Sequence, residues 1–188
     1  MCVTRLFTLQ AKPMKTISLL LLISFLSACS THYPNRNPVN DVFPSVTGNS
    51  LQEKTIEIPS HFKGEKALLL LGYKQNAQFD IDRWLIGLDM TNTNVKVYEI
   101  PTMQGFLPAL FSDRIDNGMR KGIPSELWKI VITVYEQGDV IQAFTGNENP
   151  NNARVILLDE NSRIAYFYDR GFSVDALNTL RKTLWVFS

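Results

Sequence analysis

Four residues, Gln75, Asn76, Ala77 and Gln78, stand where an apolar run from Ala67 to Tyr73 gives way to a helical pattern. A helix start offers free N–H groups and a positive dipole end, which can hold a phosphate or lower the pKa of a thiol. Neutral amides neither ionise nor attack a disulfide, so this joint predicts no thiol chemistry. Asp80 and Asp82 follow closely, and paired carboxylates can exchange protons or bind a metal. The same spacing suits a simpler role. Asp80 is expected as the helix N-cap, worth about 0.5–2 kcal/mol, with Asp82 as a first-turn partner of the dipole.

The other polar stretch with distinctive chemistry is DRIDNGMRKGI, residues 113 to 123. Arg114, Arg120 and Lys121, beside Gly118 and Gly122, could form a cationic lip for an acidic partner. Basic residues near a helix C-terminus also complement the dipole, and a glycine there can end the helix. His32 and His61 carry no H-x-x-x-H or acidic cluster beside them, so no metal or other cofactor is expected. No G-x-S-x-G exists to support a serine nucleophile. A net charge of +1 over 188 residues argues against nucleic acid.

The elements that must position these residues alternate along the chain. Ala67 to Tyr73 reads as a buried strand, and Ile81, Trp84, Leu85 and Leu88 recur at helical spacing. Val95 to Ile100 is a second strand. Leu107, Leu110, Phe111, Ile115 and Met119 mark one face of a second helix, with Pro108 in its first turn. Ile130 to Tyr135 reads as strand, Val140 to Phe144 as a short helix, Val155 to Leu158 as a central strand, and Arg163 to Tyr168 as its hairpin partner. Ser173 caps a last helix bearing Val174, Leu177, Leu180 and Leu184. The order β-α-β-α-β-α-β-β-α predicts an α/β fold, with a central, mostly parallel sheet, flanking helices, and a C-terminal hairpin plus helix.

Upstream, Lys15 precedes an apolar run from Ile17 to Leu26 that stops at Leu26, Ser27, Ala28 and Cys29. This segment resembles a bacterial lipoprotein signal with its lipobox. The resemblance implies a signal peptide over residues 1–28, with Met14 the more plausible start, and lipid on Cys29. Several acyl chains give stable attachment where one is marginal. Ser30 after the cysteine favours the outer membrane, facing the periplasm. The remaining cysteine is Cys2, so the mature domain would hold no free thiol or disulfide. Residues 29–60, rich in Pro, Asn, Ser and Thr, read as a tether, with a single edge strand around Lys54 to Ile58.

The domain from residue 61 to 188 resembles the thioredoxin-like superfamily, especially its peroxiredoxin-like and membrane-tethered branches. Leu157, Leu158, Asp159, Arg163, Ile164 and Gly171 carry the likeness, with the element order. The resemblance implies a C-x-x-C at the joint, where this chain has Gln75, Asn76, Ala77 and Gln78. It also implies a cis-proline before the central hairpin, where Asn152 and Ala153 stand. A narrower likeness, at Gly118, Met119, Arg120, Gly122 and Ile123, is to the mitochondrial ATP synthase assembly factor ATP10. The expectation is a redox-inactive, membrane-anchored binding or assembly module with an envelope protein as partner. The alternatives are an enzyme using Asp80 and Asp82 and a purely structural envelope lipoprotein.

Overall fold

The computed structural model describes residues 31 to 186. The expected signal peptide and the lipidation residue Cys29 lie outside this range. In chain order the elements are β1 (Val46–Ser50), β2 (Thr55–Ile58), β3 (Ala67–Gly72), α1 (Gln78–Met90), β4 (Lys96–Pro101), α2 (Phe106–Leu110), α3 (Ser112–Gly122), β5 (Ile132–Thr133), α4 (Gly138–Thr145), β6 (Arg154–Leu158), β7 (Ile164–Tyr168) and α5 (Val174–Val186). Among the described residues no helix is long and apolar enough to cross a membrane.

The central sheet runs β4-β3-β6-β7. β3 pairs parallel with β4 and antiparallel with β6, and β6 pairs antiparallel with β7. The sheet is therefore mixed, not mostly parallel. The expected third strand explains the difference: β5 is only two residues long, and the residues flanking it meet β4 and its exit through single parallel bridges, Glu99 to Val131 and Thr102 to Val134. β5 belongs instead to a small sheet of order β2-β1-β5.

β3 is apolar throughout because both its faces are covered. Leu69 and Leu71 join Ile100, Ile156, Leu158 and Ile164 on one face, beneath Phe43, Val46, Ile58 and Ile141. Leu68 and Leu70 face the other way, against Ile81, Trp84 and Leu88 of α1 and Leu177, Leu180 and Leu184 of α5. The helical spacing read from the sequence thus marks buried stripes on α1 and α5, except at Val174, which opens α5 exposed to solvent. Ser173 does cap α5, its Oγ accepting from Ala176 N at 3.1 Å.

Two expectations about elements need correction. The helix expected across Leu107 to Met119 is two helices, broken at Phe111, where φ is −110° and ψ is 17°. Its supposed inward residues do not face a core: Leu107, Leu110 and Phe111 are exposed, so no packing holds the two turns in line.

The described part of the expected tether is also not free. β1 and β2 form a hairpin, with β2 the expected edge strand, and Phe43, Val46, Leu51 and Ile58 are buried. Before them, Asn40 N donates to Ile164 O at 2.9 Å and Arg36 N to Thr145 O at 3.3 Å. A few widely spaced apolar anchors and a backbone ladder hold this segment, a pattern that composition reads as linker.

Gly146 shows how closely the segment is seated. It adopts φ +82°, and a Cβ there would lie 2.2 Å from Asn35 Cα. Only glycine suits both the conformation and the approach.

Candidate functional site

The amides do lie at a strand-to-helix junction. Lys74 is extended, Gln75–Ala77 form one 3-10 turn, and α1 begins at Gln78. Gln75, Asn76 and Gln78 are exposed, while Ala77 is buried against the core. Gln78 Nε2 donates to Asp82 Oδ1 at 2.9 Å and to Glu99 Oε2 at 3.2 Å. Burial raises the Glu99 carboxyl above its ordinary value, the Asp82 charge adds to the rise, and the Gln78 hydrogen bond opposes it. The joint thus presents amides and a carboxylate pair bridged by an amide, an arrangement able to hold protons or hydrogen-bond donors.

Asp80 is not the N-cap expected of it. The preceding 3-10 turn moves the helix start upstream, so Asp80 falls in the first turn of α1, buried. Its Oδ2 accepts from Ala153 N at 2.9 Å and its Oδ1 from Phe172 N at 2.7 Å. One carboxylate therefore clasps α1 to the segments that open β6 and α5. Asp80 and Asp82 are not brought together: the first is spent on backbone and the second points to Gln78.

Behind the joint lies a cationic group that sequence reasoning missed. Arg154 opens β6 fully buried, its guanidinium 4.7 Å from the Tyr73 ring centre. It donates to Asn149 O at 2.6 Å, Asn152 O at 3.0 Å, Gly146 O at 3.2 Å and Asn35 Oδ1 at 3.4 Å, while Nε finds no partner among the described residues. Burial lowers its pKa. Tyr73 OH and Thr145 Oγ1 share a hydrogen bond, and burial pushes the Tyr73 phenol up to about 12. A charge at the head of an otherwise apolar strand, RVILL, was the available signal.

The three basic residues singled out in the sequence separate in the structure. Arg120 is committed: Nε donates to Leu51 O at 2.8 Å, Nη1 to Asn117 Oδ1 at 2.8 Å, and Nη2 lies 3.6 Å from Glu53 Oε1. Arg114 and Lys121 are exposed on α3. Arg120 lines a polar cleft of about 430 Å³ with Asn49, Ser50, Glu53, Asp113, Asp116 and Asn117. Within it Asp116 is buried, accepting from Tyr135 OH at 2.6 Å. Burial raises the Asp116 carboxyl, with the Tyr135 and Thr133 hydrogen bonds opposing. The cleft wall thus carries three carboxylates to one guanidinium, unlike the cationic lip the sequence suggested. Asp116 and Tyr135 gave no sequence signal, being far apart in the chain and paired only by the fold.

Solved structures of matching architecture decide the fold. BsSco, a member of the Sco family of cytochrome c oxidase assembly proteins, superposes with a TM-score of 0.56 at 12% identity, covering 82% of this chain and 99% of that one. A SCO1/SenC family lipoprotein from Bacillus anthracis gives 0.54 at 11%, covering 82% and 99%. A thiol peroxidase from Chromobacterium violaceum gives 0.53 at 15%, covering 84% and 93%. The fold is thioredoxin-like. No family model matches the chain, and no curated protein matches it in sequence.

Within the thioredoxin-like domain the clasp from Asp80 takes on a definite place. Ala153, at the position where the superfamily resemblance implies a proline, is a residue with an N–H to give, and Asp80 receives it. This bond ties the start of α1 to the head of β6. Gly118, Met119, Arg120, Gly122 and Ile123 form the C-terminal part of α3 and its exit, with Arg120 fastened to Leu51 O.

Proposed function

We propose that this chain is a lipid-anchored, envelope-facing thioredoxin-like domain that binds or helps assemble another envelope component without redox catalysis. The observation that carries the reading is the placement of Gln75, Asn76, Ala77 and Gln78 on the strand-to-helix joint, with no cysteine at all between Thr31 and Ser188. A thiolate is the nucleophile of thiol-disulfide exchange, and no side chain at the joint can form one. The lipobox ending in Cys29 supports the anchor, and the Sco proteins of like fold, one of them a lipoprotein, support assembly as the kind of duty. The ATP10-like stretch supports it too.

The geometry adds nothing to the enzyme alternative, since both oxygens of Asp80 are taken by backbone N–H groups. Two measurements on the processed protein test the proposal. Insulin reduction and thiol-peroxidase assays should show no turnover above buffer, and turnover in either overturns redox inactivity. Crosslinking in intact cells should recover a specific envelope protein; recovery of none favours the purely structural lipoprotein.

A further inference from the structure

The chain immediately following Cys29 is fastened beside an exposed apolar helix. Asn147 Nδ2 donates to Thr31 O at 2.8 Å, and Gln104 Nε2 reaches the same oxygen at 3.4 Å. Tyr33 and Asn147 exchange two further bonds, Tyr33 N to Asn147 Oδ1 at 2.8 Å and Asn147 N to Tyr33 O at 2.9 Å. Gln104 lies two residues before α2. From Pro101 to Phe111 the sequence PTMQGFLPALF contains no charged residue. Leu107 is 54% exposed, Leu110 59% and Phe111 52%.

We infer that α2 and Phe111 form a membrane-docking surface, occupied by the acyl region of the same bilayer that holds the lipid on Cys29. The inference rests on the proposed lipidation of Cys29. Consecutive Cα atoms are about 3.8 Å apart, so in the mature chain Cys29 lies within about 7.6 Å of Thr31 whatever its conformation. An anchor so short, leading to a segment seated on the domain, holds this end of the domain against the lipid. A cluster of three exposed apolar side chains is too small to bind a membrane strongly by itself. Tethering makes its insertion an intramolecular step, so modest affinity suffices.

The chemistry selects lipid over a protein partner. The patch is aliphatic and aromatic, with no charged residue from Pro101 to Phe111, the exposed Asp113 and Arg114 lying beyond it on α3. Phe79, Ile86 and Met90, also exposed, lie on α1, whereas the hydrogen bonds from Thr31 run to Asn147 and to Gln104 beside α2. Docking through α2 also fixes orientation. Gly72 pairs with Pro101 at the end of the sheet from which both the amide joint and α2 depart, so that end faces the bilayer. The Asp159–Ser162 turn between β6 and β7, at the other end of the same strands, faces away.

The test uses the full-length, processed protein purified from membranes and placed in vesicles of phosphatidylethanolamine and phosphatidylglycerol. Leu110→Cys and, separately, Asn161→Cys supply a single thiol for an environment-sensitive fluorophore. In vesicles with brominated acyl chains, the label at 110 should be blue-shifted and quenched several-fold more than the label at 161. Equal quenching at the two positions overturns the docking surface. So does a label at 110 that stays unquenched while a crosslinker there captures a protein in cells, which assigns the patch to a protein partner. Intact mass of the same samples separates the two readings. Acylated Cys29 with an unquenched 110 sinks the docking alone, whereas an unacylated Cys29 sinks the anchor and with it the occupant named here.

Discussion

The Asp80 carboxylate stands 2.9 Å from Ala153 N and, through its other oxygen, 2.7 Å from Phe172 N. Ala153 is buried and the Phe172 amide half-buried, so neither N–H finds ready replacement by water. Each buried donor left without an acceptor costs about 1–3 kcal/mol. Asp80→Ala should therefore lower unfolding free energy by about 2–4 kcal/mol in urea denaturation. Asp80→Asn should do little better, because the amide nitrogen would meet an N–H donor. Asp82→Ala, at an exposed position, should stay within about 0.5 kcal/mol. A large loss at Asp82 with none at Asp80 would contradict the clasp.

Gly146→Ala addresses the seated segment. The new Cβ would lie 2.2 Å from Asn35 Cα and 2.5 Å from Pro34 O, on a backbone at φ +82°. Conformations of this kind cost about 1–3 kcal/mol for residues other than glycine. The segment should lift locally, freeing the backbone around the already exposed Arg36, whose N–H otherwise bonds Thr145 O and whose guanidinium lies 4.8 Å from the Phe144 ring centre. Native-state proteolysis follows the population of the open form, so trypsin should cut after Arg36 roughly tenfold faster in the variant. Unchanged cleavage would show that the contact is not what holds the segment.

How far the sequence reveals this molecule depends on which force sets each part. β3 and the Val155–Leu158 run of β6 announce themselves because burial on both faces favours unbroken apolar residues, and α1 and α5 because each buries one stripe. β1 does not: in VTGNS the inward positions after Val46 are Gly48 and Ser50, small residues chosen for close approach, and hydrophobicity cannot see them. Phe43 and the segment from Thr31 are held by long-range hydrogen bonds to backbone and to Asn147, which no local window contains. At the joint the amides were legible, since they are contiguous. Glu99 was not, because it reaches Gln78 only through the parallel pairing of β3 with β4. Asp80 was found but assigned the wrong partner. A side-chain acceptor near a helix start looks like a cap until the tertiary donors are known.

Tyr73 makes the stability of the domain depend on alkaline pH. Burial holds its phenol protonated up to about 12, against an ordinary value of 10.0 in the unfolded chain. A folded value above the unfolded one means that the folded state binds the proton more tightly. The stabilisation is whole below pH 10 and is lost progressively as pH rises from 10 towards 12, by about 2.7 kcal/mol in all. Tyr73→Phe removes this titration but also the bond to Thr145 Oγ1, a cost of about 1 kcal/mol at every pH. Chemical denaturation of both proteins should show the wild type ahead at pH 8 and the order reversed near pH 12. Parallel curves throughout would place Tyr73 in contact with solvent.

The basic residues of α3 supply the last prediction, because structure divides what the sequence grouped. Arg120 is fastened by a charged hydrogen bond to Leu51 O, a second to Asn117, and a looser ion pair to Glu53, and it lies near Trp128. Hydrogen bonds of charged groups contribute about 1.5–3 kcal/mol, so Arg120→Ala should destabilise by about that much. Arg120→Glu would be worse, setting a carboxylate beside Asp116 and Glu53 in the same cleft. Loss of a partner in either variant would then report on folding as much as on contact. Arg114 and Lys121 are exposed, and their alanine variants should keep unfolding free energy within about 0.5 kcal/mol. If an acidic envelope partner uses this helix, Arg114→Glu and Lys121→Glu should weaken its crosslinking while thermal unfolding is unmoved. Crosslinking unaffected by both, yet lost with Arg120→Ala only in step with its fall in stability, would remove α3 from the binding surface and leave Arg120 as the residue that ties α3 to the turn after β1.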